Sequence, residues 1–321
     1  MRLTRRTLAS ALLLSPLAVR AQAPYPERPI RVIVPFGPGG LADVTMRVIG
    51  EKLGQQLGQQ IVVVNQPGGA GSIAARAVTS APADGYTLAL LTNGTAVSAA
   101  SMRSLGFNPI GDFVPISSLG FFDFVIATSR EHPYGSFTDL MAAARANPGK
   151  LNIGTIQPGS TQHLSAVLLR TLIRADMTIV PFRTTPDAIT ALLRKDVDVV
   201  IDGFSATGAM IRDGQLRALA TTGAQRSSVL RDVPTVIEGG ISGFDVTSWN
   251  ALFAPVGTPT AIIEMLNAGL RTAIGDGGVT KRLLDLGITA RASTPQEIGE
   301  RLAADIRHWT EVVNRAGIER L

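Results

Sequence analysis

From Ile30 onward the chain alternates short, nearly unbroken apolar runs with longer segments whose apolar residues recur every three or four positions. The runs "IRVIVPF" (30–36), "IVVVNQ" (61–66) and "YTLALLT" (86–92) are too short for helices and rich in β-branched residues, which is how strands buried on both faces of a parallel sheet read. Between them Met46, Ile49, Leu53 and Leu57 share one helical face, and "GSIAARAVTSA" predicts a shorter helix. The result is a βαβαβ unit. Its loops lie at the carboxyl ends of the strands, where open α/β sheets bind ligands.

A long apolar passage, "DFVPISSLGFFDFVIATS", is broken by Gly120, after which the alternation restarts, and a domain crossing is placed here. The second series predicts strands over 151–156, 178–182, 197–203 and 216–223, with helices over 161–173, 186–194 and near 206–213. After the loop "LRDVPTVIEGGISGF" come the strand-like "VTSWNALFAPV" and two or three helices, the last over Pro295 to Ala316. These cannot extend the second series without more strands, so they return to the first. Two crossings, near 122 and near 247, predict lobe 1 from 24–122 and 247–321, lobe 2 from 123–246, and a hinged cleft between them.

Composition narrows the function. The first 23 residues have a basic start (Arg2, Arg5, Arg6), an apolar run from Leu8 to Leu14 and a small-residue end, the pattern of an export signal cleaved after Ala21 or Ala23. The Arg5–Arg6 pair leaves the twin-arginine route open beside the Sec route. The formal charge is +5, and removing the segment with its four arginines leaves +1, with no basic stripe for nucleic acid. The absence of cysteine excludes a lipid-anchored N-terminus, disulfides, thiolate metal sites and Cys nucleophiles. No second apolar run approaches the ~20 residues that cross a bilayer. A soluble, monomeric periplasmic protein is the consistent expectation.

Three loops carry candidate chemistry. In the first, Pro35 and Pro38 stiffen the chain, while Gly39 and Gly40 allow a ligand close to the backbone; with Phe36 and Asp43 these form the first candidate group. The free N–H groups of the following helix favour a carboxylate or other anion. Gly37, Gly39 and Ala42 also fit the dinucleotide fingerprint G-x-G-x-x-G/A. The second strand, however, ends in Asn65, Gln66, Pro67 and Gly68 and lacks the acidic residue that would hold a ribose. The second loop, "GTIQPGSTQH", supplies Gly159, Ser160, Thr161 and His163, with Ser160 or Thr161 placed to cap a helix. The third, "PFRTTPD", supplies Phe182 and Arg183, whose guanidinium suits a bidentate clamp on a carboxylate. Thr92 and Asn93 end the third strand, and Asp202, at the carboxyl end of its strand, is placed facing the cleft.

Catalytic sets are scarce. The histidines at 132, 163 and 308 have no metal-ligand spacing, and no nucleophile elbow or Walker loop occurs. Asp198 and Asp202 share a strand face among core residues, and Asp43 and Arg47 stand at the i, i+4 spacing of an ordinary surface pair. These features favour a non-catalytic receptor without cofactor or metal. The alternative is an exported α/β enzyme or nucleotide-binding protein using the glycine loop.

The segments "YPERPIRVIVPFGPGGLADVTMRVIGEKL", "VVVNQPGGAGSIAARAVTSAPADGYTLAL", "GSTQHL", "DGQLRALATTGAQRSSVLRDVPTVIEGG" and "WNALFAPVGTP" resemble, in order, the signatures of the Bug family, the tripartite tricarboxylate transporter substrate-binding receptors. The resemblance implies a two-lobed periplasmic binding protein of Venus-flytrap form, with two α/β sheets joined by a two-crossing hinge. It further implies capture of a small organic carboxylate and delivery to membrane subunits of such a transporter. By the same resemblance, residues 36–40 and 159–163 hold the carboxylate through amides, hydroxyls and water. The chain departs from the family pattern at Gly154–Gln157, where G-S-A-G is common, and at Phe182–Thr184, where Tyr-Lys/Arg-Gly is common. With the bulk of Phe121 and Phe122, these departures point to a less polar or aromatic acid.

Overall fold

The computed structural model describes residues 25–321; the expected export segment and its cleavage points lie outside the described residues. The first half runs β1 (Ile30–Val34), α1 (Leu41–Leu57), β2 (Ile61–Asn65), α2 (Ser72–Thr79), β3 (Thr87–Thr92), α3 (Asn93–Ser101), β4 (Phe113–Ser129), α4 (Phe137–Ala146), β5 (Asn152–Ile156) and α5 (Thr161–Ile173). The second half runs β6 (Thr178–Phe182), α6 (Thr185–Leu193), β7 (Val199–Gly203), α7 (Phe204–Arg212), β8 (Leu216–Thr221), β9 (Thr247–Pro255), α8 (Thr260–Ile274), α9 (Gly277–Asp285), β10 (Thr289–Ala290) and α10 (Pro295–Arg315).

The strands form two α/β sheets that share β4. In the first the order is β2-β1-β3-β9-β4, with β10 also on β4; in the second it is β4-β7-β5-β6, with β8 on β4. The β1–β2 and β1–β3 pairs are parallel, as are β5–β6 and β5–β7, so each sheet carries its own βαβ series. Along β4, Phe113 to Asp123 pair with β9, and Phe124 to Thr128 pair with β7. The strand therefore runs through Gly120 instead of breaking there. Glycine is required at that point because a Cβ would stand 2.7 Å from Ile288 Cγ2, where β10 approaches.

Local chemistry explains most element ends. Thr294 accepts a hydrogen bond from the Glu297 amide while Glu297 Oε2 accepts one from the Thr294 amide, a reciprocal cap that starts α10. α1 stops at Gly58, whose φ of 66° few side chains adopt. No helix is expected from the sequence at α3 or α4, although α4 buries Phe137, Leu140, Met141 and Ala144 at helical spacing behind the Ser136 cap. In α3, "NGTAVSAAS" is buried on nearly every side, so no apolar stripe stands out. The tryptophans join the C-terminal elements to the first sheet: Trp249 Nε1 on β9 donates to Asp305 of α10 at 2.6 Å, and Trp309 Nε1 on α10 donates to Asn93 at 2.9 Å.

Candidate functional site

Four helices, α1, α3, α5 and α6, start or are capped at one cavity between the sheets, each following a strand of its parallel series. The enclosed part of the cavity measures about 30 Å³, room for little more than one water molecule, so the walls stand close together. The first-turn amides of a helix have no intrahelical acceptor, so several N-termini aimed at one space make it receptive to negative charge. Among the described residues, the cavity walls contain one cation, Arg183, and no carboxylate. No carboxylate stands within ion-pair distance of Arg183 among the described residues.

Of the candidate residues, Phe36, Gly40, Thr92, Thr161 and Arg183 line this cavity. The loops that carry them meet directly. A Cβ on Gly37 would stand 2.6 Å from Thr184 Cγ2, and one on Gly40 would stand 3.3 Å from Thr185 Oγ1. Gln157 Nε2 donates to the Pro35 carbonyl at 3.0 Å, and Ser98 Oγ donates to the Gly159 carbonyl at 2.9 Å.

The other candidates lie beside or behind the walls. Pro38 and Gly39 are exposed on the rim. Gly39 has φ 83°, and its amide donates to Asp43 Oδ2 at 3.0 Å, so that N–H is already occupied. Burial by itself would raise the Asp43 carboxyl, but hydrogen bonds led by Arg47 outweigh it and hold the group below the usual carboxylate range. Asn93 is committed on both sides of its amide, donating to the Thr247 carbonyl at 3.1 Å and accepting from Trp309. Ser160 accepts the His163 amide and caps α5. Gly159 contributes its carbonyl to the contact with Ser98. His163 faces a different cavity, beside Ser101 and Leu321, and burial pushes its imidazole down to about 4, leaving it neutral at pH 7. Phe182 packs in the small core of α6 and α7.

Asp202 is 1% exposed and does not reach the cavity. It stands one layer back, accepting from Thr185 Oγ1 at 2.8 Å, Gln162 Nε2 at 3.4 Å and the Gly203 amide at 2.7 Å. Thr185 and Gln162, which do line the cavity, are held in position by it. Gln162 falls within the 159–163 loop that the resemblance implicates, whereas Ser248 and Asn250 on β9 are not among the sequence candidates. For the last two a signal exists: in "VTSWNALFAPV" they stand two apart, so both project from one face of an otherwise apolar strand.

The matching family model, tripartite tricarboxylate transporter family receptor, covers residues 45–318. Protein BugT of Bordetella pertussis is 35% identical over 91% of this chain and 90% of its own length. Among solved structures, the periplasmic binding protein BugD superposes with a TM-score of 0.88 at 28% identity, over 92% of this chain and 100% of that one. A protein of R. palustris solved with adipate superposes with a TM-score of 0.87 at 33% identity, again over 92% and 100%.

Proposed function

This chain belongs to the tripartite tricarboxylate transporter receptor family, a family of solute-binding proteins and not enzymes, and from that premise we propose that it captures a small organic carboxylate in the cavity between its sheets. The observation that carries the reading is the wall composition: converging helix N-termini and Arg183, with no acidic side chain among the described lining residues. A cation would find no countercharge there. The adipate-bound relative has a carboxylate ligand at 33% identity. In this reading one carboxylate lies at the first turn of α1, where Leu41 and Ala42 line the cavity, and Arg183 receives a second.

The same reading treats residues 24–122 with 247–321 as one lobe and 123–246 as the other, which close on the solute by bending where β4 and the segment before β9 cross between sheets. The protein works in the periplasm and passes its solute to membrane subunits of a tripartite transporter. The test is calorimetric titration with matched acids and their amides. Acids should bind and amides should not; equal binding would replace the anion with a neutral solute.

A further inference from the structure

Two polar atoms on the cavity wall are buried and have no partner: Thr92 Oγ1 and Asn250 Oδ1. Thr92 is 4% exposed and Asn250 1%. Buried polar atoms in folded proteins nearly always have a partner, from the protein, a ligand or an ordered water, and these two lack one from the protein. They are direct neighbours, since Thr92 on β3 is the register partner of Asn250 on β9 and paired residues of an antiparallel ladder project from the same face. Both belong to the wall of the proposed carboxylate cavity.

The orientation of the Asn250 amide follows from its other contacts. Thr45 Oγ1 donates its proton to the Leu41 carbonyl at 2.6 Å, so toward Asn250 it can only accept. Asn250 Nδ2 donates to that hydroxyl at 2.9 Å and to the Leu41 carbonyl at 3.3 Å. Reversing the amide would set its oxygen against two acceptors. The carbonyl oxygen is therefore the atom of this cavity-lining residue left without a donor, beside a threonine hydroxyl whose proton has no acceptor.

We infer that the solute carries a hydroxyl on the carbon next to the carboxylate bound at α1, and that Thr92 and Asn250 read it. A hydroxyl accepts from Thr92 and donates to Asn250 Oδ1. A carboxylate oxygen would face the lone pairs of Asn250, and a methylene would leave both atoms unsatisfied. An ammonium would donate to both, but no acidic side chain lines the wall to balance its charge. The place next to the carboxylate follows from Asn250 being bonded to Leu41, the first residue of α1. This inference rests on the carboxylate reading above and narrows it to 2-hydroxy acids.

The experiment titrates the wild-type protein with malate and succinate, 2-hydroxyadipate and adipate, mandelate and phenylacetate, and aspartate, then repeats the best pair with Thr92→Val and Asn250→Leu, each checked for folding by thermal melting. In at least one pair the hydroxy acid should bind about 10-fold or more tighter than its deoxy partner, since sites built around a hydroxyl discriminate against analogues without it. In Thr92→Val, nearly isosteric with the wild type, that ratio should fall towards one. If Asn250→Leu does not fold, the Thr92→Val ratio alone decides. Equal binding within every pair would show that a resident water serves the two atoms and would overturn this inference while leaving the carboxylate reading intact. Tighter binding of aspartate than malate would overturn it in favour of an amino acid. Binding of none of these acids would overturn both.

Discussion

On the β1–β3–β9 side of the cavity, Thr92 Oγ1 and Asn250 Oδ1 are enclosed without partners. On the facing side Asp202 is just as enclosed, yet its two oxygens accept three hydrogen bonds, from Thr185, Gln162 and the Gly203 amide. The consequence reaches the surface of each wall. Thr185 gives its proton to Asp202 and offers the cavity only lone pairs, whereas Thr92 keeps its proton available. One wall holds unfilled positions and the other is already set. Both keep their acids out of the cavity: Asp43, buried and so not the surface residue its spacing predicts, pairs with Arg47 at 2.9 Å, and Asp202 stands a layer back. The proposed carboxylate site is thus lined in part by Thr185 and Gln162, which a carboxylate holds in place from behind without itself facing the cavity.

The contrast matters only if the walls meet around the solute, and the strongest perturbation is to keep them apart. Gly37 does not have a positive φ, and a Cβ there would stand 2.6 Å from Thr184 Cγ2. Gly37→Val should fold normally and hold the walls open; a wedge worth about 2.7 kcal/mol against closure lowers apparent affinity about 100-fold. Calorimetry reads the affinity, and X-ray scattering should show no contraction on adding an acid that contracts the wild type. Contraction in the variant would place the meeting point elsewhere. Gly39→Val is a poorer probe, because φ 83° strains any side chain there regardless of ligand.

If the second wall supplies the charge, Arg183→Ala should weaken a dicarboxylate by about 1.5–3 kcal/mol, the range for a hydrogen bond to a charged group. A monocarboxylate held at α1 should lose far less. Equal losses for the two would remove Arg183 from its role at the second carboxylate.

The third test addresses β4, the strand both sheets share. Burial, followed by the nearby Asp245, pushes the Asp123 carboxyl up to about 6. Between its ordinary 3.8 and about 6 the folded protein holds this proton and the unfolded chain does not, so stability falls as pH rises through that window and stays lower above it. Asp123→Asn should remove this part of the pH dependence and be about 1–2 kcal/mol more stable than wild type at pH 7. Denaturant melts at pH 4 and pH 7 measure the difference. A variant that is no more stable at pH 7 would show that Asp123 is not strained there. Burial raises Asp202 with the same sign, against the hydrogen bonds that lower it.

The smallest effect is expected from Ser98→Ala, which deletes the 2.9 Å bond to the Gly159 carbonyl, a contact between the sheets outside the cavity. Affinity should fall by about 1 kcal/mol, the net worth of one neutral hydrogen bond. No change would show that this contact does not hold the walls together.

Most strand and helix positions could be read locally. The apolar runs at 30–36, 61–66 and 86–92 became β1, β2 and β3, and the helix read over 161–173 is α5. The second sheet was equally legible, because its short apolar runs alternate with capped helices, even though β6 is a half-exposed edge strand. Gly120 misled because a glycine in an apolar run reads as a break, while here it admits β10. Within the site, the loops at 36–40, 159–163 and 182–185 were recognised as loops that precede helices, and the structure brings all three together. Which of their atoms face the cavity could not be read. Gly39 gives its amide to Asp43, and Asn93 is tied to Trp309, 216 residues away in the chain.

The sequence by itself determined the two α/β series, the starts of most helices and the anion-favouring character of the loops between strand and helix, because periodicity, capping and glycine loops act within a few residues. Only the tertiary structure decided which polar groups are left free. β9 enters the first sheet between β3 and β4 and sets Asn250 against Leu41, 209 residues earlier in the chain, and Ser248 beside the same cavity. Whether a buried donor or acceptor is satisfied depends on partners that folding delivers from distant segments, and a local pattern of residues does not name them.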